Sequence, residues 1–404
     1  MSNKPLEGLK VVDLSYIIAG PLCTSLLGDF GAQVVAVENP FSLALRSYIP
    51  YVGGKPGIEC STAFLAVYSS KYGIVLNLRK PEGIEVVKKL IEWADVVVEQ
   101  FPPGTMEKLG LGYEDLKKIN SDIIMVSNSA QGQTGPYATL PSFGLYLTGL
   151  TGLNHITGWP DGTPSGPLSP YPDYVCGYLM MSLILAALNY QQRTGNGQHI
   201  DLSMVEATCQ LSIPLFLDYV VNGREQGRNG NHLDRAVPHN AYRCQGDDRW
   251  CVITIFTDEE WDALCEIMDN PEWVRESRFA TFSGRKENED ELDKLVEAWT
   301  ANYPPEQLVA KLQNAGIAAA VVYDYKDVYE DKHFWERGFL QTKSRPGVGE
   351  YPVSGPSFRM SETPSELRPA PFLGQDNEYV CTTLLGISDI EFAELVQSGA
   401  FSGD

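Results

Sequence analysis

The first half of the chain alternates short runs of β-branched residues with segments of helical periodicity. This alternation is typical of βαβ units, in which helices connect parallel strands. The predicted strands are LKVVDLS, AQVVAVEN, GIVLNL, DVVVEQF, DIIMVSNS and GQHIDLSM. Among the predicted helices are PLCTSLLGDFG, which Pro21 opens at the first position, and PEGIEVVKKLIEWA. The pattern predicts an α/β fold with a doubly wound parallel sheet.

A polar, glycine-rich segment, GREQGRNGNHLDR, separates this part from a smaller unit. Because 404 residues exceed the usual size of one hydrophobic core, two or more domains are expected. After the linker, NAYRCQGDDRWCVITIF predicts a hairpin, and IAAAVVYDY predicts a strand. Helices are predicted at 258–269, 286–302 and 305–315. We therefore assign residues 1–225 to a large α/β domain and 232–330 to a small α+β domain.

The formal net charge of −21 indicates a surface that repels polyanions, so nucleic acids and anionic membranes are not expected partners. An anionic ligand would therefore need a local patch of basic residues.

The eight cysteines form no C-x-x-C pair and no metal-ligand spacing with the five histidines, and no signal peptide precedes LEGLKVVDLS. We expect reduced thiols, no metal site and a cytoplasmic protein. The uncharged run 174–192 nearly reaches the length of a membrane span but lacks the usual flanks, which favours a buried helix.

The first βα turn, DLSYIIAGPLCTSLLGDFG, holds a single glycine, Gly20, before its helix. A dinucleotide fingerprint needs three glycines, so NAD binding has weak support even though Glu38 ends the second strand. Two interpretations stay open for this turn: an anion site at a helix N-terminus, or an ordinary connection. Basic residues at the ends of the following segments indicate either a phosphate site at one sheet edge or scattered solvated side chains; they are Lys71, Arg79, Lys80 and Lys108.

Asp173, in LSPYPDYVCGYLMMSLILAALNY, is the one charged residue between Asp161 and Arg193. It follows a long Gly/Pro/Ser loop and precedes an apolar helix. One interpretation is a helix N-cap, for which Asp is a preferred residue. The other is a desolvated carboxylate nucleophile that forms a covalent acyl intermediate. The chain has no G-x-S-x-G elbow or Walker loop, and its histidines are dispersed, so other nucleophile arrangements lack support.

Six segments of the chain carry a resemblance to a known family. They are LEGLKVVDLSYIIAGPLCTSLLGDFGAQVVAVENP, VVVEQFPPGTMEKLGLGYEDL, SAQGQTGPYATLPSFGLYLTGLTGL, PYPDYVCGYLMMSLILAAL, RTGNGQHIDLSMVEA and APFLGQDNEYVCTTLLGISDIEFAEL. In this order they resemble CoA-transferase family III, the CaiB/BaiF-type acyl-CoA:carboxylate CoA-transferases. This resemblance implies a large domain formed by both chain ends, to which residues 331–404 return, around a small middle domain. It further implies an interlocked dimer, either a homodimer or a heteromer with a similar subunit, and CoA as co-substrate without another cofactor.

The resemblance also implies roles for individual residues. Asp173 is the implied nucleophile, which forms a mixed anhydride and then an aspartyl-CoA thioester. The implied CoA contacts are Tyr16, Ile17, Ile18, Ala19, Lys71, Asn77, Gln100, Phe101, Lys108 and Leu109, and the stretch that lines the acyl pocket contains Gln131 and Gly132.

The expected activity is CoA transfer from an acyl-CoA, with succinyl-CoA a plausible donor, to a carboxylic acid. Bulky side chains around the implied pocket suggest a bulky or aromatic acceptor acid, such as a benzylsuccinate-like one; they are Ile18, Tyr146, Trp159 and Tyr171. The alternative is that the aromatic side chains belong to the core. Ile18 replaces the glutamine of formyl-CoA transferases, so oxalate and formyl-CoA are not expected substrates. One alternative, an α-methylacyl-CoA racemase, has a histidine and aspartate pair where this chain has PSFGLYLTG. The other alternative is a non-catalytic CoA-binding subunit.

Overall fold

The computed structural model describes residues 4–141, 143–167 and 169–403. The strands are β1 (Lys10–Leu14), β2 (Gln33–Glu38), β3 (Tyr72–Val75), β4 (Val96–Glu99), β5 (Ile124–Ser129), β6 (His199–Ser203), β7 (His239–Arg243), β8 (Trp250–Thr254), β9 (Ala318–Val321), β10 (Leu340–Arg345) and β11 (Gly349–Ser354). The helices are α1 (Ala19–Asp29), α2 (Thr62–Val67), α3 (Pro81–Trp93), α4 (Thr105–Lys108), α5 (Tyr113–Ile119), α6 (Gly144–Leu150), α7 (Leu153–Ile156), α8 (Tyr171–Thr194), α9 (Met204–Cys209), α10 (Ile213–Asn222), α11 (Asp258–Ile267), α12 (Phe282–Glu287), α13 (Glu289–Thr300), α14 (Pro305–Asn314), α15 (Tyr325–Glu330), α16 (Lys332–Glu336) and α17 (Asp389–Gln397).

Two compact units make up the chain. The large unit comprises Met1–Asn154, Gly166–Arg224 and His333–Asp404, and the small unit comprises His155–Ser165 and Glu225–Lys332. The segment His155–Ser165, predicted as part of the large domain, thus groups with the small unit.

The large unit is built on a six-stranded parallel sheet in the order β3-β2-β1-β4-β5-β6. Helices cover both faces, which explains why the strands are near-continuous apolar runs. Val12 packs in the core on the face of α3 and α5, whereas its neighbour Val11 packs in the core on the face of α1 and α8. This architecture confirms the predicted doubly wound α/β fold.

Strand order reverses between β1 and β4, because the chain first extends the sheet through β2 and β3 and then returns to the other side of β1. The connections that follow β1 and β4 therefore leave in opposite directions, and a crevice forms at the carboxyl ends of the strands. The register aligns these ends: Leu14 lies opposite Glu99, Glu99 opposite Ser127, and Ser127 opposite Asp201.

Residues from the C-terminal part complete the free edge of the sheet at β3. The Asp376 carboxylate accepts a hydrogen bond from the Gly73 N–H at 2.7 Å, and the Asn377 Oδ1 accepts one from the Val75 N–H at 2.9 Å. Edge strands otherwise expose such groups for pairing with other chains. An antiparallel hairpin of β10 and β11, which the sequence pattern did not predict, also belongs to the large unit.

Two helices begin earlier than the sequence predicted. α1 begins at Ala19, which places Pro21 third rather than first in the helix. α8 begins at Tyr171 with Pro170 as its N-cap, so Asp173 is the third helical residue and not the cap. The N-cap interpretation of Asp173 is therefore wrong, because the helix includes both residues that precede it.

Two helical stretches, Tyr171–Thr194 and Met204–Asn222, are long and apolar enough to cross a membrane by length and composition alone. In the first, Cys176, Met180 and Ile184 are buried against the sheet. This stretch, α8, is therefore a core helix of the large unit.

The small unit has its own sheet and core. Its antiparallel sheet has the order β7-β8-β9, and β7 and β8 form the predicted hairpin. Helices α11, α13 and α14 bury Leu264, Leu292 and Leu308 in a core with residues of that sheet.

Candidate active site

A cavity of about 550 Å³ lies at the carboxyl ends of the parallel strands in the large unit. The connections that follow β1, β4 and β5 supply much of its wall. From the end of β5 and from these connections the lining residues are Tyr16, Ile17, Ile18, Gln100, Phe101, Pro102, Pro103, Asn128, Ser129 and Ala130. The cavity thus occupies the position where open α/β sheets bind ligands.

Asp173 reaches this cavity from the first turn of α8. Its side chain is buried, with 6% of the residue surface exposed. Burial raises the pKa of the Asp173 carboxyl to about 6, although its own backbone N–H acts in the opposite direction. The group is therefore ionised at neutral pH, yet it is more basic and less solvated than an ordinary aspartate. These properties suit a carboxylate nucleophile.

Gly144, the first residue of α6, provides the space for this carboxylate. A Cβ at position 144 would overlap the Asp173 Oδ2 and would lie 3.1 Å from the Cβ of Pro170. Since Gly144 also lines the cavity, its missing side chain keeps the carboxylate accessible from that side.

The connections after β1 and β4 hold each other in place. The Gly20 N–H donates a hydrogen bond to the Gln100 Oε1 at 3.1 Å, and the Tyr16 and Phe101 rings stack with centroids 6.1 Å apart. Gln100 therefore accepts a hydrogen bond from one of the N–H groups at the start of α1, where the sequence analysis considered an anion site. Buried Glu99 accepts a hydrogen bond from the Phe101 N–H at 2.7 Å, and burial raises the pKa of the Glu99 carboxyl to about 7.

Six of the thirteen residues predicted by the resemblance meet at this cavity. Lining it together with Asp173 are Tyr16, Ile17, Ile18, Gln100 and Phe101. Ala19, the first residue of α1, is fully buried in the core. Gln131 and Gly132 follow the lining residue Ala130 but are not part of the wall, and Gly132 has a φ of +85°, a conformation that favours glycine.

The structure does not bring Lys71 to the cavity. Its side chain is 0% exposed, and its Nζ lies 3.0 Å from the Asp13 Oδ2 and donates to the Pro21 carbonyl oxygen at 2.8 Å. The ammonium also lies 4.2 Å from the centroid of the Tyr68 ring. A phosphate could reach Lys71 only after this buried ion pair opened.

The remaining predicted contacts also lie away from the cavity wall. Asn77 is buried and donates from Nδ2 to the Ser402 carbonyl oxygen at 3.0 Å, so it holds the C-terminal segment. Lys108 is exposed on α4, and Leu109 packs against the core on the sheet face that α3 and α5 cover. The end of β2 is likewise occupied, because Glu38 pairs with the buried Arg46 at 2.6 Å. A ribose hydroxyl would have to displace that arginine.

Of the four bulky side chains expected around the acyl group, one lines the cavity and three do not. Ile18 lines the cavity, whereas Tyr146 and Tyr171 are exposed outside its wall and Trp159 belongs to the small unit. The aromatic residues of the wall are Tyr16, Tyr48, Phe101 and Phe143. Sequence reasoning also missed Gly144 and the polar residues Asn128 and Ser129 at the end of β5, although a polar pair closing an apolar strand was a usable signal.

The fold and site define a class: a doubly wound α/β protein with a buried carboxylate in its switch-point cavity. Residues 6–377 match the family model of CoA-transferase family III. The chain is 35% identical to a succinyl-CoA–D-citramalate CoA-transferase of Chloroflexus aurantiacus, with 97% of both chains covered. It is 32% identical to a mouse succinyl-CoA:glutarate CoA-transferase, covering 98% of this chain and 90% of the relative. A crystal structure of a CaiB/BaiF family protein from Brucella suis superposes with a TM-score of 0.87 at 31% identity, covering 95% of this chain and 100% of that one.

The chain belongs to CoA-transferase family III and is a CoA-transferase. The co-substrates of such enzymes are CoA thioesters. Among the described residues, no three His, Cys, Asp or Glu side chains come together as metal ligands.

Proposed function

We propose that this enzyme transfers CoA from succinyl-CoA to a carboxylic acid through covalent intermediates on Asp173. The observation that carries the proposal is the buried Asp173 carboxylate, which lies in the cavity where an α/β sheet of this order binds ligands. The donor is supported by relatives named as succinyl-CoA-dependent transferases for D-citramalate, glutarate and L-malate.

The chemistry proceeds by exchange between carboxylates and one thiolate. The Asp173 carboxylate attacks the thioester carbonyl of succinyl-CoA, and the CoA thiolate leaves as a succinyl-aspartyl anhydride forms. The thiolate then attacks the aspartyl carbonyl, which releases succinate and leaves an aspartyl-CoA thioester. The acceptor carboxylate attacks that thioester, and the thiolate freed in this step attacks the acceptor's acyl carbon. The products are a new acyl-CoA and the regenerated carboxylate, with no net oxidation.

The acceptor we propose is an acid with a bulky apolar or aromatic substituent, of the benzylsuccinate type. Its support is the wall of the cavity, where aromatic and aliphatic side chains predominate and, among the described residues, no lysine or arginine is present. The relatives support a second candidate, a short dicarboxylic acid such as citramalate or glutarate. Initial rates with succinyl-CoA and equal concentrations of benzylsuccinate, citramalate and glutarate separate the two candidates.

An interlocked dimer is the assembly that we propose, either of two identical chains or with a similar subunit. The second form is supported by relatives named as alpha and beta subunits of a succinyl-CoA–L-malate CoA-transferase. Light scattering of the purified chain measures its mass and tests whether it forms a dimer without a partner.

We also propose that the protein is located in the cytoplasm.

Trapping of the intermediate tests the mechanism. The purified enzyme is mixed with succinyl-CoA and hydroxylamine, and intact-protein and peptide mass spectrometry follow the peptide that contains Asp173. We expect a CoA adduct, and a hydroxamate at Asp173 after trapping, in the wild type and in the control variant Asp161→Ala, whose side chain is exposed. Neither product should form in Asp173→Ala. A hydroxamate on another residue, or turnover by Asp173→Ala, would contradict the mechanism.

A further inference from the structure

Asn128 is a buried amide for which the described part of the chain provides no hydrogen-bond partner. It lies in β5, 1% of its surface is exposed, and it lines the cavity that contains Asp173. Neither its Nδ2 nor its Oδ1 has a partner among the residues that the structure describes. Because an unsatisfied buried polar group costs stability, such a group in a native protein needs an explanation, and one explanation is a ligand.

The position of Asn128 relates it to Asp173. Val126, two residues earlier in β5, packs in the same core as Cys176 of α8. Side chains two apart in a strand share a face, so Asn128 lies on the same face of β5 as Val126. Residues three apart in a helix are neighbours, so Asp173 lies next to Cys176 on α8 and nearer the start of that helix. Both residues line the cavity, so the amide and the nucleophile belong to the wall of one site.

The donor and acceptor atoms of the Asn128 amide indicate which kind of ligand can satisfy both of them. A side-chain amide offers donors at Nδ2 and an acceptor at Oδ1. A carboxylate or a thioester carbonyl can accept from Nδ2 but has no hydrogen for Oδ1. A secondary amide carries a C=O and an N–H and can satisfy both atoms. Every CoA thioester carries secondary amides in its pantetheine arm, whichever acyl group it bears.

We propose that Asn128 binds a secondary amide of the pantetheine arm and thereby places the thioester next to Asp173. The inference rests on the proposed function insofar as the thioester reacts at Asp173, but the predicted binding of CoA does not depend on turnover. It makes Asn128 a positioning residue for the CoA arm rather than a determinant of the acceptor acid.

Calorimetric titration of CoA into the wild type and into Asn128→Leu is the first test. Leucine has nearly the same size and removes both polar atoms, so we expect Kd for CoA to rise about tenfold, the effect of losing roughly 1.4 kcal/mol of hydrogen bonding. The Tm of the free variant should stay equal or rise, because a buried unpaired amide has been removed. A lower Tm together with an unchanged Kd would overturn the proposal, since it would show a structural role.

Asn128→Ser serves as a second variant that leaves more space, in case leucine prevents folding, and the same rise in Kd is expected. Asn196→Leu is the matched control, because Asn196 is exposed in the turn after α8. Its Kd for CoA should equal that of the wild type.

The ligand side of the contact is tested with two truncated donors. The succinyl thioester of N-acetylcysteamine keeps one secondary amide, whereas that of hexanethiol has none. Asn128→Leu should lower kcat/KM about tenfold for the first donor and leave the second unchanged. Equal losses with both donors, or a raised KM for the acceptor acid with an unchanged Kd for CoA, would assign the amide to the acyl or acceptor group and overturn the proposal. If the wild type transfers CoA to no acceptor, the proposed function fails, and the calorimetric result still decides the role of Asn128.

Discussion

Asp173 combines burial with a charge that the chemistry requires. Since its pKa is raised to about 6, the carboxyl is mostly protonated at pH 5 and ionised at pH 8. Only the ionised form can attack a thioester, so kcat/KM for the acyl-CoA should rise with pH through about 6 and then level off. The measurement is the pH–rate profile between pH 5 and pH 8, and a flat profile would contradict the role of Asp173 as the free-enzyme nucleophile.

The same burial predicts a cost in stability. The folded pKa of about 6 lies above the ordinary 3.8, so the fold favours the protonated form, and the ionised form costs about 3 kcal/mol above pH 6. The cost vanishes below pH 3.8, where the carboxyl is protonated in both states. Asp173→Asn should therefore raise the free energy of unfolding at pH 8 and change it little at pH 4. Denaturant unfolding at both pH values measures the difference, and equal effects at the two values would refute it.

Gly144 makes a separate prediction at the residue scale. In Gly144→Ala the new Cβ would overlap the Asp173 Oδ2, so the carboxylate must rotate away from its position. We expect kcat to fall by about 100-fold, as for a misplaced reacting group, while the fold is retained. Steady-state kinetics and circular dichroism of Gly144→Ala measure both. Gly149→Ala is the control, since its nearest non-local atom would lie 3.8 Å from the Cβ.

Between elements, the ion pair of Lys71 and Asp13 joins the start of β3 to β1. Asp13 also accepts a hydrogen bond from Thr24 of α1 at 2.6 Å. Burial lowers the pKa of the Lys71 ammonium, and the nearby Asp13 opposes this effect. Lysine at this position is therefore a packing and ion-pair residue, although its sequence context resembles that of a phosphate ligand.

Removal of one partner from this pair leaves an uncompensated buried charge. Lys71→Met should lower the free energy of unfolding by about 3 to 5 kcal/mol. Lys108→Met, at an exposed lysine predicted to contact CoA, should leave stability nearly unchanged and raise Kd for CoA instead. Denaturant unfolding and calorimetry on both variants test the contrast. A stable Lys71→Met with weakened CoA binding would restore Lys71 as a phosphate contact.

At the scale of the whole molecule, the two units have separate cores. The buried core of the small unit lies between Val237 and Ile317, and its sheet of β7, β8 and β9 lies between His239 and Val321. A fragment of residues 225–332 should therefore fold cooperatively alone. A dispersed amide spectrum and a sigmoidal denaturation curve would confirm it, whereas a collapsed spectrum would show that the large unit is required. Leu264→Asp within the fragment is the control that should abolish folding.

The arrangement of the large unit is different, because residues distant in sequence complete one core. Val380 and Cys381 pack with Val12 and Ile74, and Asp376 and Asn377 cover the edge of β3. The sequence showed the strands of this sheet, since apolar runs buried on both faces leave a strong local pattern. It did not show the β10–β11 hairpin, because its strands LQTKSR and GEYPVS are largely polar and the second of them contains a proline.

The sequence by itself determined the α/β class and the order of the strands along the chain. Its resemblance to a family pointed to Asp173 and to the connections after β1 and β4, which line the cavity. These follow from local patterns, because periodicity and motifs are properties of neighbouring residues. Only the tertiary structure decided which polar residues face the cavity. Lys71 forms a buried ion pair with Asp13, whereas Asn128 lies on the cavity wall with no hydrogen-bond partner among the residues that the structure describes. Partners for a buried charge or amide come from distant segments, so no pattern of adjacent residues could assign them.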